Sequence, residues 1–335
     1  MMDSKNTTAP MMDNHPPPVP VLLYTFSILM VFSILCYIFV FYHYLATSTS
    51  RRALNNHVII LLLIVYGIQT LTATSFHLDH YRRGYYWPPN MVYCFVLYMV
   101  DYVTYEIGAL LMAWASIERH FLIFNTSLFN THMRRRIGHY CPLAFCFIYP
   151  IVYYTYFIMF YPCESYYDME KLTCVAACFL WTNSKLAVYE LVMNGFVPVG
   201  LIAIFSIALL VRVIWQKQHM GRQMTWKKNR KMTIQLLAVS TTFLIFNIGY
   251  FVIAFGQMVW DVNFGANIMV WFFSINVCAP QLVFPFLLLG TMPNLKAKLK
   301  TLNPCRYVMI VHPTNNPTID RTVNGTFRIT KSIRT

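Results

Sequence analysis

Hydrophobic positions gather into long runs near Val19 to Leu45, His57 to Phe76, Met91 to Phe124, Ile137 to Tyr161, Leu186 to Trp215, Met232 to Val259 and Ala266 to Gly290. A helix needs about 20 residues to cross a hydrocarbon core about 30 Å thick, and each run meets or exceeds that length. The pattern therefore predicts seven spanning helices, with the extra length taken up by tilt or by helix reaching past the lipid. Pro16 to Pro20 blur the start of the first run, and Pro280 and Pro285 interrupt the last. Prolines are tolerated in a spanning helix where neighbouring groups satisfy the carbonyls they free. The expected organisation is a tail over 1–18, a bundle over 19–290, a short amphipathic helix over 291–302 and a disordered tail over 303–335, rich in Thr, Asn and basic residues.

Composition names the solvent. Of the 335 residues, 57% are hydrophobic and only 11% charged, too few polar groups to cover a water-soluble domain of this size. Of the 26 Lys and Arg, 21 fall on one side of the predicted spans: Arg51, Arg52, Arg119, Arg134 to Arg136, the stretch Arg212 to Lys231, and the segment after Pro293. Lys5, Arg82, Arg83, Lys171 and Lys185 fall on the other. Basic residues accumulate on the cytoplasmic side, so the amino terminus is expected outside and the carboxyl terminus in the cytoplasm of a plasma-membrane protein. The net charge of +14 is then a topological signature, and nucleic acid is not an expected partner. The first helix is expected to act as its own insertion signal, with no cleavable leader. A sequon at Asn6 lies in the outer tail, where it can be glycosylated; those at Asn125 and Asn324 lie inside and stay bare.

Cys94 and Arg119 stand twenty-five residues apart on the third run, about 37 Å along one helix, so they mark its two ends. The arginine sits in Glu118-Arg119-His120. Cys163, Cys174 and Cys178 share the loop after the fourth run with the same oxidising exterior as Cys94. A bridge from Cys94 would pin this loop over the bundle; Cys178 is the preferred partner, with Cys174 next, and the remaining loop pair could close a small ring. Other pairings, or free thiols, stay open. Cys36, Cys141, Cys146 and Cys278 read as small core residues, and Cys305 as either palmitoylated or free.

These features resemble the rhodopsin-like family of G-protein-coupled receptors over roughly residues 19 to 302. Cys94 and Glu118-Arg119-His120, with Ile123 after it, are similar to that family's third-helix cysteine and Glu/Asp-Arg-Tyr motif, and Pro150, Pro198 and Pro285 fit its prolines. Pro293-Asn294-Leu295-Lys296-Ala297-Lys298-Leu299-Lys300 looks like its eighth helix, lying on the inner leaflet. The resemblance implies an all-α seven-helix bundle in which Glu118, Arg119, His120 and Ile123 meet a heterotrimeric G protein when the sixth helix swings outward. It also places Asp101 where amine receptors hold a ligand ammonium. Tyr102, Tyr105, Asn194, Asn247, Tyr250 and Phe251, with the further acids Glu106 and Glu190, complete a candidate pocket for a cationic ligand, an amine or a peptide. The bland reading is that these acids bond to tyrosines or to one another as structural groups.

The departures from the family are specific. Tyr66 or Gly67 stands near where the second helix carries Asp, so a sodium pocket is not expected. Asn247 and Gly249 replace the sixth helix's Trp and Pro, with glycine able to permit a bend, and Phe284-Pro285-Phe286-Leu287-Leu288 replaces Asn-Pro-x-x-Tyr. Lys227, Lys228, Arg230 and Lys231 leave the inner end of the sixth helix without an acid for Arg119, so any lock must come from Glu118 or polar groups, with raised basal activity as a consequence.

Catalytic readings are weak. His77-Leu78-Asp79-His80 has metal-like spacing but no assignable third ligand and reads as a helix end beside a loop. No nucleophilic triad or phosphate loop is present, and no lysine lies between Ala266 and Gly290 for a retinal Schiff base. No enzyme activity, cofactor or metal is expected. The rival reading is a transporter or channel with intramembrane acids along its path.

Overall fold

The computed structural model describes residues 19–46, 51, 54–124, 131–171, 174–219, 223–261 and 263–292. Asn6, Asn125, Asn324, Cys305, the predicted eighth helix and the tail, together with the side chain of Ile123, lie outside the described residues. Within the unit that ends at Met292, seven helices are long and apolar enough to cross a membrane.

Helix α1 spans Val19–Ala46. Helix α2 starts as Leu54–Gln69, passes a π turn at Thr70–Thr74 and continues as Ser75–Arg83, ending on Gly84 in the left-handed conformation (φ 80°) that glycine adopts without a Cβ penalty. It therefore runs seven residues past the Phe76 limit of the hydrophobic run. His77-Leu78-Asp79-His80 is helix, with His77 and His80 on its buried side, and among the described residues no three His, Cys, Asp or Glu converge on a metal position. Helix α3 is unbroken over Met91–Phe124. Helix α4 centres on Cys141–Thr155 between π turns at Arg136–Tyr140 and Tyr156–Phe160. Helix α5 runs from Ser184–Tyr189 through a π segment, Glu190–Phe196, into Val197–His219. Helices α6 (Gln223–Val259) and α7 (Ala266–Thr291) complete the set.

Helix α3 is the axis of the bundle, touching α2, α4, α5 and α6, while α7 closes the ring between α6 and α1. The outward faces are apolar: Val21, Ile28 and Leu35 on α1 and Ile204, Ile207 and Val211 on α5 are each more than half exposed. In water that surface would be a liability; in lipid it is matched to its solvent. Polar groups turn inward, where Gln69, Thr74, Asn247, Asn276 and Gln281 are all buried.

The prolines of α7 show how an interior polar group pays for a broken helix. Pro285 has no N–H, which frees the carbonyl of Gln281 four residues earlier. Tyr37 of α1 donates its hydroxyl to that oxygen at 2.7 Å, and the Gln281 side chain donates to Thr74 of α2 at 3.0 Å and to the carbonyl of Val277. Three helices are tied at one point. On α6, Gly249 makes room for α7: a Cβ there would collide with the ring of Phe272.

The loop between α4 and α5 folds into a two-stranded antiparallel hairpin, β1 (Tyr166–Tyr167) and β2 (Val175–Ala176), followed by the one-turn helix Cys178–Thr182. Its cysteines correct the preferred pairing. Cys94 is bonded to Cys174, not Cys178, with Cα atoms 5.9 Å apart, and Cys178 closes a smaller ring with Cys163 at 5.8 Å. The register explains the choice. Tyr167 pairs with Val175, and Asp168 N–H donates to the Cys174 carbonyl at 2.9 Å, so the start of β2 is held over the end of α3. Cys178 is carried past that point into the short helix. Cys94 and Cys174 are buried with Tyr86, Leu97 and Phe179, which plugs this end of the bundle with apolar and aromatic groups.

Candidate functional site

A cavity of about 220 Å³ opens between α3, α5, α6 and α7 toward the end of the bundle that carries Cys94. Asp101 lies seven residues from that cysteine, about 10 Å along the helix. From α3 come Asp101, Tyr102, Tyr105 and Glu106, paired positions one turn apart; from α5 come Glu190 and Asn194, inside its π segment; from α6 come Tyr250 and Phe251. A π segment carries an extra residue per turn and re-aims the side chains on it. Eight of the nine pocket residues singled out from the sequence line this space. Asn247 sits behind the lining, accepting from Tyr105 Oη at 2.5 Å and from Asn276 Nδ2 at 2.9 Å while donating to the carbonyl of Phe243 at 2.7 Å.

Each acid has a different environment. Asp101 accepts from Gln69 Nε2 at 3.2 Å and lies 3.5 Å from Nε2 of His77, whose Nδ1 meets the hydroxyl of Tyr86 at 2.8 Å. Glu190 accepts from the Tyr154 hydroxyl at 2.5 Å and from Asn194 Nδ2 at 2.7 Å, and Asn194 in turn accepts from Tyr149 at 2.6 Å. Glu106 is 1% exposed, and its Oε1 has no partner. Gln69, His77, Tyr154 and Asn276 were not singled out as site residues. A lone polar residue on an apolar run does not say which way it faces until the helices are packed.

Below the cavity the bundle is sealed. Leu111, Met112, Ala113 and Ala115 of α3 are at most 4% exposed and pack with Tyr66, Phe243 and Phe284. Tyr66 of α2 and Phe284 of α7 meet edge to face at 5.0 Å, an aromatic pair in the middle of the bundle. The Tyr66 ring is admitted by Gly108, where a Cβ would approach its Cε1 to 2.6 Å. Gly108→Ala is accordingly expected to cost roughly 1–3 kcal/mol by overpacking. A thermal-unfolding midpoint in detergent equal to that of the parent would show that the ring moves aside freely.

At the other end of α3, Glu118, Arg119 and His120 face three directions. Glu118 is engaged by His139 at the start of α4, through His139 Nδ1 and Glu118 Oε1. His139 Nε2 meets His57 Nδ1 at 3.1 Å, and His57 Nε2 reaches the carbonyl of Arg51 at 2.9 Å. Arg119 is buried, beside Tyr44 of α1, whose hydroxyl accepts from Gln235 of α6 at 2.9 Å. The His120 ring lies edge-on to Phe205 of α5. His57 and His139 carried no sequence signal because both sit inside or beside apolar runs.

The sequence matches no protein-family model and no curated protein. Among solved structures, squid rhodopsin superposes with a TM-score of 0.67 over 89% of this chain and 84% of its own, at 14% identity. The chain therefore has the rhodopsin-like seven-helix fold.

Proposed function

We propose that this protein is a plasma-membrane receptor of the G-protein-coupled type, with its amino terminus outside and its carboxyl terminus in the cytoplasm. It couples an extracellular ligand to a heterotrimeric G protein and performs no catalytic step of its own. The observation that carries this reading is that one unbroken helix, α3, holds an acid-lined cavity near its Cys94 end and Glu118-Arg119-His120 at the other. The 21-to-5 split of basic residues supports this orientation, with the cavity on the outer side and Arg119 on the cytoplasmic side. Acids facing aromatic rings suit a cationic ligand. Binding there acts by shifting the population between two helix arrangements. The Tyr44–Gln235 bond and the neighbouring Arg119 tie α1, α3 and α6 together at the cytoplasmic end, and an outward swing of α6 would break that bond.

The transporter or channel reading needs a polar path, and the buried apolar layer around Leu111, Met112 and Phe284 interrupts it. Arg119→Ala is expected to abolish nucleotide exchange on a co-expressed heterotrimeric G protein while surface levels stay near those of the parent. Full exchange by the variant would remove Arg119 from the coupling role. An ionic current lost on Asp101→Asn would replace the receptor reading with the rival one.

A further inference from the structure

The cavity holds more carboxyl groups than a single ammonium answers. Asp101, Glu106 and Glu190 all line it, and no Lys, Arg or His does. Asp101 has a basic neighbour in His77, which stands behind it. Glu190 is held by the neutral donors Tyr154 and Asn194. Glu106, 1% exposed, presents an oxygen with no partner at all. A buried carboxylate in that condition costs several kcal/mol unless something else in the site bonds to it. A proton on Glu106 removes that charge and so competes with a cationic donor for the same oxygen.

We propose that the cavity takes a small organic dication, one ammonium held by Asp101 and the other between Glu106 and Glu190. This rests on the cavity being the ligand site. Asp101 and Glu106 are five residues apart, about 7.5 Å of rise and about 140° of turn on α3, and both line the one cavity, so a ligand with two charges separated by a short methylene chain can face both. The cavity that holds the acids is lined by Tyr102, Tyr154, Tyr250, Phe251 and Phe273, aromatic groups that suit an organic ammonium better than a bare metal ion. Among the described residues no three His, Cys, Asp or Glu, these acids included, come together as metal ligands do. At about 220 Å³ the cavity is smaller than the usual drug-sized pocket, which limits the ligand to few heavy atoms.

The test compares 1,5-diaminopentane with 1-aminopentane, matched in length and differing in one charge, on the full-length protein in lipid nanodiscs. Binding is read by competition and by the shift in thermal midpoint. The diamine is expected to bind about tenfold or more tightly than the monoamine, through a second desolvated charge pair. Glu106→Gln keeps the side-chain shape, removes one charge, and is expected to bring the two affinities within about twofold while retaining monoamine binding. Glu190→Gln is made in parallel and is expected to weaken the same preference, which keeps the test informative if one variant fails to fold. Asp101→Asn is expected to lose both ligands. Equal affinities in the parent protein, no binding of either amine, or a preference surviving in both glutamine variants would overturn the proposal. Arg119-dependent basal nucleotide exchange, measured in the same preparation, separates the two readings: its persistence without diamine preference sinks the dication and leaves the receptor.

Discussion

Cys174→Ser is expected to act as Cys94→Ser does, sharply lowering the folded surface population, and the double variant is expected to be no worse than either single one. The two cysteines are 80 residues apart in sequence, and closing a loop of that size removes about 4.5 kcal/mol of chain entropy from the unfolded state. That figure is an upper bound here, because helices that stay inserted in lipid are already confined. The loss also unpins β2 from α3, exposing the cluster of Tyr86, Leu97 and Phe179 that caps the cavity end. Cys178→Ser opens only the ring to Cys163, fifteen residues apart, worth about 3 kcal/mol on the same scale. Its effect should be smaller and should be additive with that of Cys94→Ser. Surface labelling of the four single and three double variants checks this. If Cys178→Ser proved non-additive with Cys94→Ser, and Cys174→Ser with Cys163→Ser, the pairing described here would be the wrong one.

His139→Ala is expected to produce the second large loss. Glu118 and His139 have side-chain exposures of 1% and 0%, so removing the imidazole leaves a buried carboxylate without this partner and cuts the chain through His57 to the Arg51 carbonyl. Breaking a buried pair by deleting one member costs roughly 3–5 kcal/mol, most of it the penalty on the group left behind. Glu118→Gln in the His139→Ala background should therefore recover part of the loss, since a neutral amide is cheaper to bury than a charge. A double-mutant cycle on thermal stability in detergent is the measurement. Strict additivity of the two substitutions would show that Glu118 and His139 do not depend on each other.

The interhelical pairs are where the sequence was silent. Asp101, Glu106, Glu190 and Arg119 draw attention by being expensive at membrane depth, whatever the fold. His139, His57, Gln69 and Tyr44 are ordinary by that measure, and their partners lie on other helices, up to 191 residues away for Tyr44 and Gln235. The cysteine pairing shows the same limit. Spacing allowed Cys174 and Cys178 almost equally, and a two-residue strand register decided between them.

What the sequence determined by itself is the solvent, the seven rods and the positions of their costly residues. These follow from lengths and transfer free energies that each segment carries alone. What only the tertiary structure decided is which costly groups meet: Cys94 with Cys174, Glu118 with His139, and three acids around one cavity with Glu106 left unanswered. Rotation of each helix about its axis settles those contacts, and that rotation is fixed by packing between helices, a property no single segment contains.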